Sequence, residues 1–204
     1  LATVDQTVRN GVGAALARLV AAGLDVEEAH PDLAEAQSAF RTLRAFQFAA
    51  LWQEALQAHR EKLKPEVVWN IEQGLACSAL DLARAEAERA ALRQAMLSFL
   101  DVHGVLITPT VPVAPFPVTQ RYVEEIDGQK LDTYLDWMAL GFAVSVCGCP
   151  AISIPCGRTE TGLPLGLQLV GKPYDEVGLL RTAAWCEAVL GQSLSRPIDP
   201  VVPS

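Results

Sequence analysis

Two apolar segments on either side of a short polar turn place the strongest constraint on how this 204-residue chain folds. The segments run from Ala151 to Pro155 and from Leu163 to Val170, and residues 157–162 between them are glycine, charged or hydroxyl-bearing. Strand, turn and strand in this order predict a β-hairpin. Because Val, Ile and Leu dominate both segments, we expect both strands to be covered on two faces. Gln168 is a polar amide within the second strand, so we expect it to be hydrogen-bonded.

Helical spacing of apolar residues predicts helices through most of the first 103 residues. We expect a helix through residues 12–20, a long helix over 32–64, a short one after Pro65 and a long one over 78–103. Ser78 and Asp81 have the spacing of a capping box for the last of these helices, and Gly104 is expected to end it. Residues 24–28 and 105–107 are predicted to form short strands, and the prolines at 109, 112, 115 and 117 predict an extended loop. We expect Asp132 to cap a helix through residue 147, and Asp175 to cap a last helix that ends at Gly191.

Helices that alternate with short strands predict an α/β fold, in which a mixed sheet is layered by helices. We divide the chain into a helix-rich part (1–103), a sheet-forming part (104–191) and a tail (192–204). Four predicted strands are too few to cover the helices, so we expect residues outside this chain to complete the sheet. The chain does not begin with Met, which suggests that it starts inside a longer protein. Uncovered apolar strands also favour a homo-oligomer.

Composition excludes several classes of partner. The formal net charge is -8 and the pI is about 4.9, so no basic surface for nucleic acid is expected. No apolar stretch reaches ~18 residues, and the N-terminus lacks the features of a signal peptide, so no membrane partner is expected. Five cysteines without disulfide-like spacing indicate a cytoplasmic protein.

The chain lacks the short motifs of several catalytic and nucleotide-binding sites. G-x-S-x-G, S-x-x-K, the P-loop, G-x-G-x-x-G and H-E-x-x-H are all absent. Cys147, Cys149 and Cys156 could form a zinc site, but no histidine lies near them in sequence. We favour buried packing for these thiols and predict no metal and no cofactor, with zinc binding kept as an alternative.

Nearly the whole chain nevertheless resembles the C-terminal portion of amidase-signature enzymes, beginning with the segment from Val12 to Glu28, and its second half contains the specific motifs. The resemblance is carried by spaced glycines, prolines and Gln168 in the runs GCPAISIPCG (148–157) and GLPLGLQLVGKPYDE (162–176), preceded by Thr108-Pro109-Thr110. It implies hydrolysis of a carboxamide C–N bond through an acyl-enzyme. The serine nucleophile, bridging serine and lysine base of that family lie in its N-terminal half. No residue here matches them, so we assign no catalytic residue and expect this segment alone to be inactive.

The resemblance also implies which residues shape the substrate pocket. By analogy with the family these are Thr108, Thr110, Phe142 and Ser145, with a small-molecule amide as substrate. The expected partner is the N-terminal half of the amidase domain. The amidotransferase branch is expected to have an acidic residue near Met138. Met138 itself is not acidic, which argues against glutamine as substrate, whereas Asp136 two residues earlier keeps glutamine as the alternative. The alternative function is a non-catalytic binding or assembly module derived from the amidase fold.

Overall fold

The structure is a computed structural model that describes residues 2–191, so the predicted tail at 192–204 lies outside the described residues. No helix in this part of the chain is long and apolar enough to cross a membrane. The residues divide into two compact units. The helical unit comprises His30–Gly104 and Gly141–Cys149, and the sheet unit comprises Ala2–Ala29, Val105–Leu140 and residues 150–191.

The chain contains both helices and strands, as predicted for an α/β fold. Four helices come first, and strands and helices are interspersed after them. The helices are α1 (Gln6–Ala21), α2 (Ala36–His59), α3 (Pro65–Ala76), α4 (Ala79–His103), α5 (Ala139–Cys147) and α6 (Glu176–Leu190). The strands are β1 (Leu106–Pro109), β2 (Glu125–Ile126), β3 (Gln129–Lys130), β4 (Ala151–Arg158) and β5 (Pro164–Val170). Short 3₁₀ turns follow α2 at Arg60–Lys62 and precede α5 at Asp136–Met138.

The sheet unit is built on a three-stranded antiparallel sheet in the order β1-β5-β4. Helices α1 and α6 cover one face, and their apolar side chains form a core with alternate residues of β4 and β5. The fully buried members include Leu19, Leu167 and Leu169. The predicted hairpin is therefore confirmed as β4 and β5. The expectation that both strands are covered on two faces is wrong for β4, because its residues alternate between exposed and buried.

Helix ends were predicted correctly where the capping residue is adjacent to the helix in sequence. Ser78 and Asp81 form a capping box at the start of α4, with Ser78 Oγ accepting from the Asp81 backbone N–H at 3.1 Å. Asp175 caps α6 by accepting from the Gly178 backbone N–H at 3.1 Å. Gly104 and Gly191 follow the last residues of α4 and α6 with φ values of 77° and 62°. These four predictions are confirmed.

Two other predictions are wrong for local reasons. Residues 24–28 form no strand, because Asp25, Glu27 and Glu28 are exposed and the segment pairs with no other strand in the described chain. Asp132 caps no helix. Instead the Asp136 carboxylate accepts from the Thr133 backbone N–H at 2.8 Å and from its hydroxyl at 3.0 Å, and α5 begins only at Ala139.

The helical unit packs α2 against α3 and α4. The two helices α2 and α3 approach closely at Gly74 of α3, where an added Cβ would be only 1.9 Å from the carbonyl oxygen of Ala45 in α2. Arg93 of α4 donates from Nη1 to the carbonyl oxygens of Cys147 and Gly148, at 2.9 and 3.0 Å. The guanidinium therefore satisfies carbonyl groups at the negative end of α5.

Candidate functional site

A polar row crosses the sheet on the face opposite the α1 and α6 core. Thr108 of β1 and Ser153 of β4 are both register partners of Gln168 in the central strand. Gln168 is only 8% exposed, and its Nε2 donates to Thr108 Oγ1 at 3.0 Å and to the Leu140 carbonyl at 3.3 Å. The prediction that this amide is hydrogen-bonded is confirmed. The two contacts fix the amide between β1 and the first turn of α5.

A pair of hydroxyl groups lies beside this row. Thr110 Oγ1 and Ser153 Oγ are 2.6 Å apart, so one hydroxyl donates to the other. The Thr110 backbone N–H donates to the Gly166 carbonyl at 3.0 Å, which holds the start of the proline-rich loop against β5. An added Cβ at Gly166 would be 2.6 Å from Thr110 Oγ1, so the lack of a side chain there makes room for the pair.

Ser153 is the functional candidate that sequence reasoning missed. It is exposed, unlike its neighbour Ile154, and it is the hydroxyl-bearing residue that β4 places opposite Gln168. The available signal was a lone serine two residues before Pro155 in an otherwise apolar strand. The antiparallel register turns that serine into a neighbour of Thr110.

The four predicted pocket residues divide between the two units. Thr108 and Thr110 lie together in the sheet unit, joined to β5 through Gln168 and Gly166. Phe142 and Ser145 lie in the helical unit. Phe142 is buried and its ring stacks on Phe40 with centroids 4.6 Å apart.

Ser145 makes a contact within its own helix. Its hydroxyl donates to the carbonyl oxygen of Gly141, one turn earlier, at 3.1 Å. Each pair of predicted residues is thus fixed within its own unit, and a pocket formed by all four stays a prediction.

An apolar cavity of about 170 Å³ lies in the sheet unit. Its walls come from α1, the proline-rich loop, the 3₁₀ turn before α5 and the start of β5, and they include Val8, Phe116, Trp137 and Leu165. The Phe116 and Trp137 rings meet edge to face, with centroids 5.6 Å apart and planes at 84°. All residues that line the cavity are apolar or glycine, so the cavity suits an uncharged group.

Three of the five cysteines, Cys147, Cys156 and Cys186, are buried, and Cys77 and Cys149 are partly buried. All five are free thiols, and burial raises the pKa of Cys147 to about 11 and also raises the pKa values of Cys149 and Cys156. Cys147 and Cys149 belong to the helical unit and Cys156 to the sheet unit. Within residues 2–191, no group of three or more His, Cys, Asp or Glu side chains is placed to hold a metal ion.

Known proteins resemble this chain in both sequence and fold. It is 32% identical to an acylamidase from Rhodococcus erythropolis over 126 residues, which are 61% of this chain and 26% of that protein. It is 34% identical to a glutamyl-tRNA(Gln) amidotransferase subunit from Myxococcus xanthus over 100 residues, which are 49% of this chain and 19% of that protein. The chain therefore spans about a quarter or less of the length of these relatives.

Solved structures extend the similarity to nearly the whole chain. A crystal structure of an amidase superposes with a TM-score of 0.83 at 28% identity, over 91% of this chain and 42% of that one. A bacterial aryl acylamidase of the amidase-signature family superposes with a TM-score of 0.80 at 19% identity, over 96% and 44% of the two chains. The model of the Amidase family matches residues 1–180. With the fold, the Gln168 run and this match in agreement, the chain belongs to the amidase family.

Proposed function

We propose that this chain is the C-terminal part of an amidohydrolase that cleaves carboxamide C–N bonds. In this proposal the chain contributes sheet strands and part of the substrate pocket. The serine nucleophile, the bridging serine and the lysine base belong to an N-terminal half outside these 204 residues. The supporting observation is the polar row Thr108, Gln168 and Ser153 on the sheet face opposite the α1 and α6 core. Gly166 connects this row to the apolar cavity, because it lines the cavity and also lies against the Thr110 and Ser153 hydroxyls.

The proposed reaction proceeds in two steps. The serine oxygen attacks the amide carbonyl, and the C–N bond breaks as the leaving amine takes up the proton that the lysine received from serine. Water then attacks the acyl-enzyme ester, giving the carboxylic acid and regenerating the serine. Hydrogen-bond donors aimed at the developing oxyanion supply a large share of the rate in such reactions.

The residues of this chain are suited to positioning the substrate. In the Thr110 and Ser153 pair, each hydroxyl has one proton and only one of the two is used within the pair. The other proton is available to a carbonyl oxygen on the exposed side of β4. Gln168 holds β1 in place through Thr108, and that strand leads directly to Thr110. We propose that the hydroxyl pair orients the amide and that Phe142 and Ser145 complete the pocket.

The proposed substrate is a small neutral amide other than glutamine, in a cytoplasmic enzyme. The apolar walls of the cavity contain no charged side chain that would pair with an amino acid's ammonium or carboxylate group. The partners proposed are the N-terminal half of the amidase domain and a second copy of the chain.

A non-catalytic assembly module is the second candidate. It is favoured by large apolar side chains that are exposed on the helical unit, since Leu51 is 67% exposed, Leu75 is 55% exposed and Trp52 is 48% exposed. Such side chains are typical of a surface that another chain covers. The two candidates differ in whether Thr110 affects turnover.

The test compares two forms of the protein. The uninterrupted natural polypeptide that contains this chain is expected to hydrolyse small amides, and the 204-residue chain is not. In that polypeptide, Thr110→Val is expected to lower kcat/KM by roughly 10-fold, in line with the loss of one hydrogen bond to the reacting amide. Thr161→Val is the matched control, because Thr161 forms an equivalent hydroxyl pair with Thr159 at 2.9 Å in the exposed β4–β5 turn.

Equal activity of the wild type and Thr110→Val would contradict the positioning role. Absence of amide hydrolysis by the uninterrupted polypeptide would favour the assembly module. A similar loss in Thr110→Val and Thr161→Val would show that removal of any such hydroxyl pair disturbs the sheet unit as a whole.

A further inference from the structure

The cavity in the sheet unit has the size of one six-membered ring. Its volume is about 170 Å³. An apolar protein cavity of about 150 Å³ takes up benzene and stays dry when empty. A group much larger than one ring would not fit, and a methyl or ethyl group would leave part of the wall without contact.

The walls favour an uncharged ring over other groups of that size. Phe116 and Trp137 meet edge to face at 84°, an arrangement that a third ring extends by placing its edge or face against theirs. Val8 and Leu165 are buried and supply aliphatic contacts from α1 and β5. No lining residue carries a charge or an amide, so a charged substituent inside the cavity would lose its water without gaining a partner.

Two prolines restrict the backbone in the cavity walls, and the aromatic side of the cavity is accessible. Pro115 and Pro164 lie in two of its walls, and each fixes its own backbone φ angle. Phe116 and Trp137 are only half-buried, so the aromatic side of the cavity is reached from solvent. A preformed site of this kind binds its ligand without a large ordering cost.

We propose that this cavity binds a single uncharged six-membered ring, and that the ring is a side group of the carboxamide substrate, because Gly166 in the cavity wall also lies against the Thr110 and Ser153 hydroxyls. The second part deepens the proposed amidohydrolase function and rests on it. The first part concerns the sheet unit alone. It is therefore tested on the 204-residue chain without any turnover.

The experiment uses ¹⁹F NMR of the chain labelled with 5-fluorotryptophan. The chain has four tryptophans, and the Trp137 resonance is identified by its loss in Trp137→Phe. Benzamide is the probe and acetamide is the control without a ring. We expect benzamide to shift the Trp137 resonance with a dissociation constant on the order of 1 mM, as for a ligand of nine heavy atoms with modest efficiency per atom. Acetamide is expected to leave the resonance unchanged.

Two variants test whether the ring enters the cavity itself. Ala114→Phe places a side chain in the cavity wall, and we expect it to weaken benzamide binding by roughly 10-fold or more. Ala87→Phe on the exposed face of α4 is the matched control and is expected to leave binding unchanged. Phe116→Ala removes one aromatic wall and is expected to weaken binding by roughly 5-fold, which keeps the test valid if Ala114→Phe does not fold.

The outcomes separate the two proposals. The ring site would be overturned if benzamide does not bind below roughly 20 mM, or if wild type and both cavity variants bind it equally. Neither result would contradict the proposed amide hydrolysis by the longer polypeptide. If benzamide binds as expected and the uninterrupted polypeptide hydrolyses benzamide faster than acetamide, both parts are supported. If benzamide binds and the uninterrupted polypeptide hydrolyses no amide, the ring site stands, and the assignment of the ring to a substrate fails together with the proposed function.

Discussion

Replacing either of two helical glycines by alanine should have opposite effects on stability. Alanine is favoured over glycine in a helix interior by about 1 kcal/mol, so propensity alone predicts that both Gly13→Ala and Gly74→Ala stabilise. At Gly13 in α1 nothing lies within 4 Å of the added Cβ, and the full gain is expected. At Gly74 in α3 the added Cβ would be 1.9 Å from the Ala45 oxygen and 2.5 Å from the Ala45 carbonyl carbon.

The clash at Gly74 is with backbone, which cannot rotate away as a side chain does. Real Cβ atoms essentially never approach a neighbour closer than 3.0 Å, so α3 must move away from α2 by about 1 Å or more. Overpacking of this kind costs about 1–3 kcal/mol and separates the helices along their contact. Because this clash is with backbone and is deep, we expect its cost at the upper end of that range, about 3 kcal/mol. After the propensity gain of about 1 kcal/mol is subtracted, Gly74→Ala should destabilise the helical unit by about 2 kcal/mol.

Native-state hydrogen exchange measures each effect in its own unit. Exchange of α2 and α3 amides should be faster by roughly 30-fold in Gly74→Ala, and exchange of α1 amides should be slower by roughly 5-fold in Gly13→Ala. Unchanged or slower exchange in α2 and α3 of Gly74→Ala would refute the reasoning. That result would show that the two helices do not touch at this glycine.

Three further changes test other contacts in the structure. Gln168→Leu leaves the Leu140 carbonyl without its amide donor and should lower the unfolding free energy by about 2 kcal/mol, measured by urea denaturation. Arg93→Met removes the donor to the Cys147 and Gly148 carbonyls and should cost about 1–3 kcal/mol, measured as faster exchange of α5 amides. Burial raises the folded pKa of Cys147 from 9.0 to about 11, so the folded protein favours the neutral thiol. The stabilisation that comes from this preference is fully present below pH 9 and is lost as the pH rises through 11. Urea midpoints should therefore fall between pH 9 and 11, and a Cys147→Ser variant should lose part of that fall.

Sequence patterns predicted the features that depend on neighbours along the chain. The hairpin of β4 and β5, the cap of α4 by Ser78 and the ends of helices at Gly104 and Gly191 all follow from residues a few positions apart. Gln168 was recognised because a lone amide in an apolar strand needs partners. Its two partners are 28 and 60 residues away in sequence, and their identities came only from the structure.

The features that sequence patterns missed depend on strand register and on close approach. Whether β4 is covered on both faces depends on which elements lie against it. Its exposed and buried residues alternate, but the sequence did not show this, because the exposed residues Ala151 and Pro155 are apolar. Ser153 joins the site only through the register that places it opposite Gln168. The start of α5 was misplaced because Thr133 and Asp136 bond to each other, which favours a turn over a longer helix.

We propose that this chain shapes a pocket without supplying the nucleophile. The most direct measurement treats the 204-residue chain with an organophosphorus reagent that phosphonylates activated serines, followed by peptide mass spectrometry. We expect no stoichiometric modification of any serine in residues 2–191. Stoichiometric modification of one serine, such as Ser153, that disappears together with amide turnover in its Ser→Ala variant would contradict the claim.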